Sequence, residues 1–310
     1  MTAKIVLYSC TFSKDLNRTL RMIESIKKHN KDQIPLYISV PEDEVDLFKK
    51  NIPASFVTVF SELDILKKNP KIDLDKIYSI RGGLRQQVIK SEFWRLGISD
   101  NYLVIDADCI FLRDFYIADF IVHDEIPYSI IHEGKDVLIS TDRFGPKKNR
   151  QNFLNDRNPI QAALGRSGIT YDYGYAPFLW NKKVWASFDM HYLSPNNMSF
   201  LDAVLKVGSE FTWYGESLMK YQAIPIFPRE QLFKHYHYEH QMWLDLAAGY
   251  TEKYISKNSL GVVYQSNWQT WEDFGKSKKN ILSRTLRRCK RQLKKLKFKL
   301  NLIINTLFKI

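Results

Sequence analysis

Few cysteines, few glycines and no long apolar run mark this 310-residue chain, and each shortage narrows what it can be. Its three cysteines, Cys10, Cys109 and Cys289, are odd in number and show no framework spacing, which argues against a disulfide-stapled scaffold and for a reducing compartment. Cys10 and Cys109 lie in strand-like runs and read as small core residues. No apolar stretch is long enough to span a bilayer. The opening Lys4-Ile-Val-Leu-Tyr-Ser-Cys10 is too short for a secretory apolar region and runs directly into a turn and helix cap, so a place on the cytoplasmic side is expected. The 13 glycines form no Gly-x-Gly-x-x-Gly pattern, and Arg81-Gly82-Gly83 reads as a bend. No internal repeat is visible. Acidic residues are missing altogether from 276–310, which hold 13 Lys or Arg.

That last absence localises the charge. Of 46 basic side chains, the 13 in the tail leave 33 for the rest of the chain against 34 Asp and Glu, a net of −1. The overall +12 is therefore a property of one end. The near-neutral remainder, in a chain 45% apolar and 14% aromatic, is rich enough for a true core. The length suits one large α/β domain or one domain with an appendage.

The front half alternates in character. Ile5 to Cys10, Pro35 to Val40 and Phe56 to Phe60 read as strands. Ser13 to His29 reads as an amphipathic helix, with Leu16, Leu20, Ile23 and Ile26 near helical spacing; Glu42 to Lys50 and Leu84 to Leu96 read as further helices. Such alternation predicts βαβ units, a mostly parallel Rossmann-type sheet flanked by helices, and ligand binding beyond the carboxyl ends of its strands. Gly134 to Gly168 is polar and aperiodic and reads as a long loop, either a substrate lid or a solvated insertion. The back half is aromatic: Tyr171 to Trp180, Phe211 to Tyr214 and His235 to Tyr238. Most of these rings belong in a core, with one or two expected to line a ligand cleft.

The run Tyr102-Leu-Val-Ile-Asp106-Ala-Asp108-Cys-Ile-Phe-Leu-Arg113-Asp114 is the most informative. A buried-strand pattern ends in two carboxylates that point the same way, and a second apolar strand follows. Hard oxygen ligands at this spacing suit a Mg²⁺ or Mn²⁺ ion shared with substrate phosphates. Asp73-Leu74-Asp75 repeats the spacing but lacks the apolar run, and it reads as a solvated turn. The competing reading of Asp106 and Asp108 is a structural cap on a tight turn between strands.

This stretch resembles the Asp-x-Asp segment of GT-A-fold glycosyltransferases, among them bacterial lipopolysaccharide and capsule enzymes, over roughly Lys4 to Tyr264. The resemblance implies a GT-A-like α/β body in which Asp106 binds the donor and Asp108 ligates Mn²⁺ or Mg²⁺. The donor implied is a nucleotide sugar, a UDP-sugar in the first instance, and the acceptor a glycan or glycolipid. Ser209-Glu210 resembles the late helix start where inverting members place their base, which makes Glu210 the first candidate and Glu216 the second. An acidic residue at a helix start also suits the helix dipole without any catalysis. His235-Tyr236 followed by Trp243 resembles the late metal-binding segment of a retaining branch. If that segment is extended, His235 and His237 share a face and either is a candidate third ligand; non-ligating histidines are the alternative. Arg85, Gln87 and Lys90 resemble donor-directed basic and amide residues, with solvated helix charge as the alternative. Thr11, after the first strand, is a candidate nucleotide contact by topology.

In the tail, Leu282, Leu286, Cys289, Leu293, Leu296, Leu300, Ile303 and Leu307 alternate at spacings of four and three, a helical stripe of period 3.5. Flanking cations without acidic partners disfavour a coiled coil and suit an amphipathic helix on an anionic membrane. The stripe argues against a nucleic-acid arm. Docking on the body or on an acidic protein is a further alternative. The expected division is a catalytic domain at 1–275, with a nucleotide-sugar-binding half at 1–115 and an acceptor half at 116–275, followed by a membrane-association tail at 276–310. The expected location is peripheral, on the inner face of the cell membrane. A sugar nucleotidyltransferase and a catalytically silent membrane scaffold are the rival functions.

Overall fold

The computed structural model describes residues 3–53, 55–144 and 149–266, and in the tail 285–286, 289–290, 292–298 and 300. Two compact units emerge, Met1–Phe274 and Gly275–Ile310. Among the described residues no helix is long and apolar enough to cross a membrane.

The strands are β1 (Val6–Cys10), β2 (Leu36–Val40), β3 (Val57–Ser61), β4 (Asn101–Val104), β5 (Cys109–Phe111), β6 (Ser129–Ile130), β7 (Phe178–Asn181), β8 (Pro228–Arg229), β9 (Phe233–Tyr236) and β10 (Gly261–Tyr264). The main sheet runs β3-β2-β1-β4-β7, parallel except for β7, which pairs antiparallel with β4. Every residue of β1, β4 and β7 is buried, as expected of strands covered on both faces. Helix Leu16–His29 covers the sheet with Leu16, Thr19, Met22, Ile23, Ser25 and Ile26. Ser25 Oγ donates to the Met22 carbonyl and accepts from the Phe111 N–H, so this helix is also pinned to β5.

A second sheet, β5-β10-β9, runs antiparallel then parallel. Val263 lies in register with Cys109 on one side and His235 on the other. One face of this sheet, including Cys109, Phe111, Phe233 and Val263, enters the main core. Ile110, Val262, Tyr236 and Tyr264 form a smaller cluster on the other face.

Three sequence expectations are corrected. Gly134 to Gly168 is not a loop: Lys135–Phe144 and Asn149–Ala163 are helices, with 145–148 outside the described residues. Their inner face consists of Val137, Thr141, Phe153, Arg157, Ile160 and Gln161, all buried at helical spacing. Polar members of that stripe hide its period, and Pro159 inside the second helix counts against it. Asp73 caps the helix Leu74–Ser79 by accepting from the Lys76 N–H, so it is a helix start rather than a solvated turn. Gly82 and Gly83 likewise open a helix, Gly82–Glu92, instead of forming a bend. In the tail Leu282, Ile303 and Leu307 fall outside the described residues.

Candidate functional site

The strand order sets the place. From β1 the chain steps outward to β2 and β3, then crosses back to put β4 on the other side of β1. At such a reversal the adjoining loops diverge and leave a crevice at the carboxyl ends of the two strands. Thr11 follows β1 there, and Asp106 to Asp108 follow β4. The Ile105 N–H donates to the Tyr8 carbonyl (2.8 Å), which carries the pairing one residue beyond β4.

The turn after β4 is closed by main chain: the Cys109 N–H donates to the Asp106 carbonyl at 3.0 Å. Neither carboxylate is consumed in closing it. Asp108 is only 9% exposed; its Oδ2 accepts the Ser266 N–H at 2.9 Å, while its Oδ1 is buried with no hydrogen-bond partner. Burial, and next the neighbouring charge of Asp106, push the Asp108 carboxyl up to about 6. Asp106 keeps a quarter of its side chain exposed and accepts a short charge-assisted hydrogen bond from Lys90.

Lys90 is itself 2% exposed. Burial disfavours its ammonium, but the carboxylates of Asp106 and Glu210 outweigh that and hold it above the ordinary lysine range. Glu210 opens the helix Glu210–Tyr221 and is buried. Desolvation raises its carboxyl to about 7 against the opposing pull of Lys90. A single ammonium therefore stands in the field of two carboxylates, one after β4 and one at the start of a late helix. The Ser209 hydroxyl pairs with Thr212 Oγ1 at 2.6 Å and does not cap the Glu210 helix.

The remaining candidates on helix Gly82–Glu92 diverge. Arg85 turns to Glu62 (3.6 Å), just beyond β3, and lies over the Tyr78 ring. Gln87 reaches toward the turn before Glu210: a Cβ on Gly208 would stand 2.6 Å from Leu84 Cδ2 and 3.5 Å from Gln87 Oε1. Gln86, missed in the sequence, donates to the Cys10 carbonyl at 2.7 Å. It lies one helical turn before Lys90, so the i,i+4 period was the available signal. Thr11 is buried, with its hydroxyl on Thr19 (3.1 Å) and its N–H on Ser39. Ser266 and Arg18, which also acts electrostatically on Asp108, carried no sequence signal.

Glu216 is occupied elsewhere. It is fully buried, with Arg166 donating to both its oxygens and Tyr173 donating to Oε1 at 2.8 Å. The Tyr173 ring lies so close on Gly215 that a Cβ there would meet it at 2.0 Å. This clasp ties the segment after helix Asn149–Ala163 to the Glu210 helix, and it leaves no oxygen to receive a substrate proton. Replacing Glu216 with Gln strands the guanidinium and is expected to cost about 3–5 kcal/mol of stability in urea unfolding.

The late histidines occupy an aromatic nest rather than the aspartate pair. His235 donates from Nε2 to the Ala176 carbonyl (2.8 Å), on the face of the small sheet that meets the main core. The Tyr175 ring lies 5.5 Å from His235 and 4.9 Å from His237. Burial holds both imidazoles neutral, lowering His235 to about 4 and His237 to about 3. Among the described residues, no three His, Cys, Asp or Glu side chains converge into a ready cation cage. The donor set that fits a cation is Asp106 with the unpartnered Asp108 Oδ1, two hard oxygens that suit Mg²⁺ or Mn²⁺ completed by water and phosphate.

No curated protein matches the chain. Residues 2–241 match a family of unknown function, DUF6492, over a stretch that holds every candidate from Thr11 to His237. With that much of its length matched, the chain belongs to the DUF6492 family.

Proposed function

We propose that the chain is a GT-A-like glycosyltransferase that moves a sugar from a nucleotide-sugar donor, first of all a UDP-sugar, to a hydroxyl of a glycan or glycolipid. The observation that carries this reading is the unpartnered buried oxygen of Asp108 just after the switch-point strand β4, with Asp106 and Glu210 both in the field of Lys90. A divalent cation held by Asp106 and Asp108 would offset the charge that develops on the departing diphosphate. Lys90 holds Asp106 and adds a fixed positive charge beside the leaving group.

Glu210, with its carboxyl near 7, is divided between its two forms around neutrality, which suits a general base. It takes the proton from the acceptor hydroxyl as that oxygen bonds to the anomeric carbon. The bond from that carbon to the diphosphate oxygen breaks, and its electron pair leaves with the nucleoside diphosphate. The product is inverted.

The test is a panel of nucleotide sugars with Mn²⁺, and slow release of nucleoside diphosphate by transfer to water is expected. Pyrophosphate release would assign a sugar nucleotidyltransferase, and no turnover of any donor would leave a silent scaffold; either result overturns the reading. Glu210→Gln should lower kcat by about 10²–10⁴-fold. It should also abolish the limb of the pH–rate profile that rises through about 7. The same substitution should raise the melting temperature in alkaline solution. The raised carboxyl's contribution to the fold is complete below its ordinary value of 4.5 and is lost as pH climbs through about 7.

A further inference from the structure

The C-terminal unit carries a surface that sugar transfer does not use. Residues 285–286, 289–290, 292–298 and 300 are helical, and Leu286, Leu293, Leu296 and Leu300 are 56%, 65%, 57% and 51% exposed. At the α-helical rotation per residue these leucines and Cys289 fall within an arc of roughly 80°. Lys290, Lys294, Lys295 and Lys297 are exposed along the same stretch. No Asp or Glu occurs anywhere in 276–310.

A row of leucines facing water needs a cover, and the charges around it restrict what the cover can be. A second copy of this helix brings apolar side chains but only more cations, in either orientation, so association sets like charges together. A nucleic acid satisfies the lysines and leaves the leucines wet. An anionic bilayer meets both demands, with an acyl boundary for the leucines and phosphates for the lysines.

We propose that this helical stretch lies in the plane of an anionic lipid surface, leucines inward and lysines among the headgroups. The proposal is independent of the glycosyltransferase reading, and a failed donor assay would leave it standing.

The experiment uses the full chain with phosphatidylcholine vesicles made with or without phosphatidylglycerol. Co-sedimentation with the anionic vesicles alone is expected. Leu293→Ala with Leu296→Ala keeps every cation and favours the helix, and should lower partitioning by at least about tenfold. Cys10 and Cys109 are buried while Cys289 is exposed, so a polarity-sensitive thiol dye reports from the stripe itself. Its emission should shift to the blue on anionic vesicles. Three results would overturn the proposal: no vesicle binding; vesicle binding that survives the alanine pair and is competed by RNA; or an alanine-sensitive oligomer that ignores vesicles.

Discussion

Asp108→Asn is expected to abolish cation-dependent binding of a nucleoside diphosphate while leaving the melting temperature above neutral pH unchanged or raised. The carboxyl is held at about 6 in the fold against an ordinary 3.8, so the native chain binds the extra proton. That contribution to stability is complete below the ordinary value and disappears as pH rises through about 6. Above neutrality the buried charge is a burden of about 2–3 kcal/mol. Asparagine removes that burden, and its carbonyl oxygen still accepts the Ser266 N–H. Its NH₂ then occupies the side where Asp108 Oδ1 lacks a partner, at a cost of about 1–3 kcal/mol, so the two effects nearly cancel. In acid the burden is absent, and the variant should be the less stable protein. Mn²⁺ affinity, read by water-proton relaxation, should fall by more than the roughly 10–100-fold that loss of an outer-shell partner causes. A lower melting temperature at every pH with unchanged Mn²⁺ affinity would reduce Asp108 to an anchor for the Ser266 backbone.

The parallel half of the fold was legible because its strands are short and largely apolar, and the first three are each followed by a helix. The helix start at Glu210 was read in place, and Asn101–Val104 was placed where its apolar run demands. The sequence failed where burial is polar. Thr141, Arg157 and Gln161 are buried at 3%, 2% and 7%, and a hydrophobicity period does not register them. Arg157 is held inside by Asp172 and by the Phe153 ring, neither of which is recognisable as a partner before the chain is folded.

The site divides along the same line. Asp106 and Asp108 were singled out from local context, Lys90 and Glu210 through the family resemblance, and the fold brings their charges into one field. What the sequence could not supply was competition for side chains. Glu216 and Glu210 sit on one helix with similar claims as a base, yet Arg166 and Tyr173 occupy the first and nothing comparable holds the second. Likewise the extended segment at His235 is real, but register aims it at Ala176 and the core. Spacing along a strand fixes which residues share a face and leaves open which face meets the ligand.

Lys90→Met should be the most damaging single change at the site. The methionine fills much of the same volume but removes the ammonium between Asp106 and Glu210, and stranding buried charge in this way costs about 3–5 kcal/mol. With its cation gone, the Glu210 carboxyl should titrate above its native value of about 7. The destabilisation should therefore be deeper in alkaline solution, where Glu210 must be charged, than in mild acid. Adding Glu210→Gln to the methionine variant removes one of the stranded charges and should recover about 1–3 kcal/mol more than the same substitution gains in the native chain, an excess that independent sites would not show. Turnover should stay down by about 10²–10³-fold in kcat even where stability is recovered, because the charge beside the leaving group is still missing. If Glu210→Gln changes stability by the same amount in the native chain and in the methionine variant, Lys90 and Glu210 do not share a field, and the pull of Lys90 against the burial of Glu210 is absent.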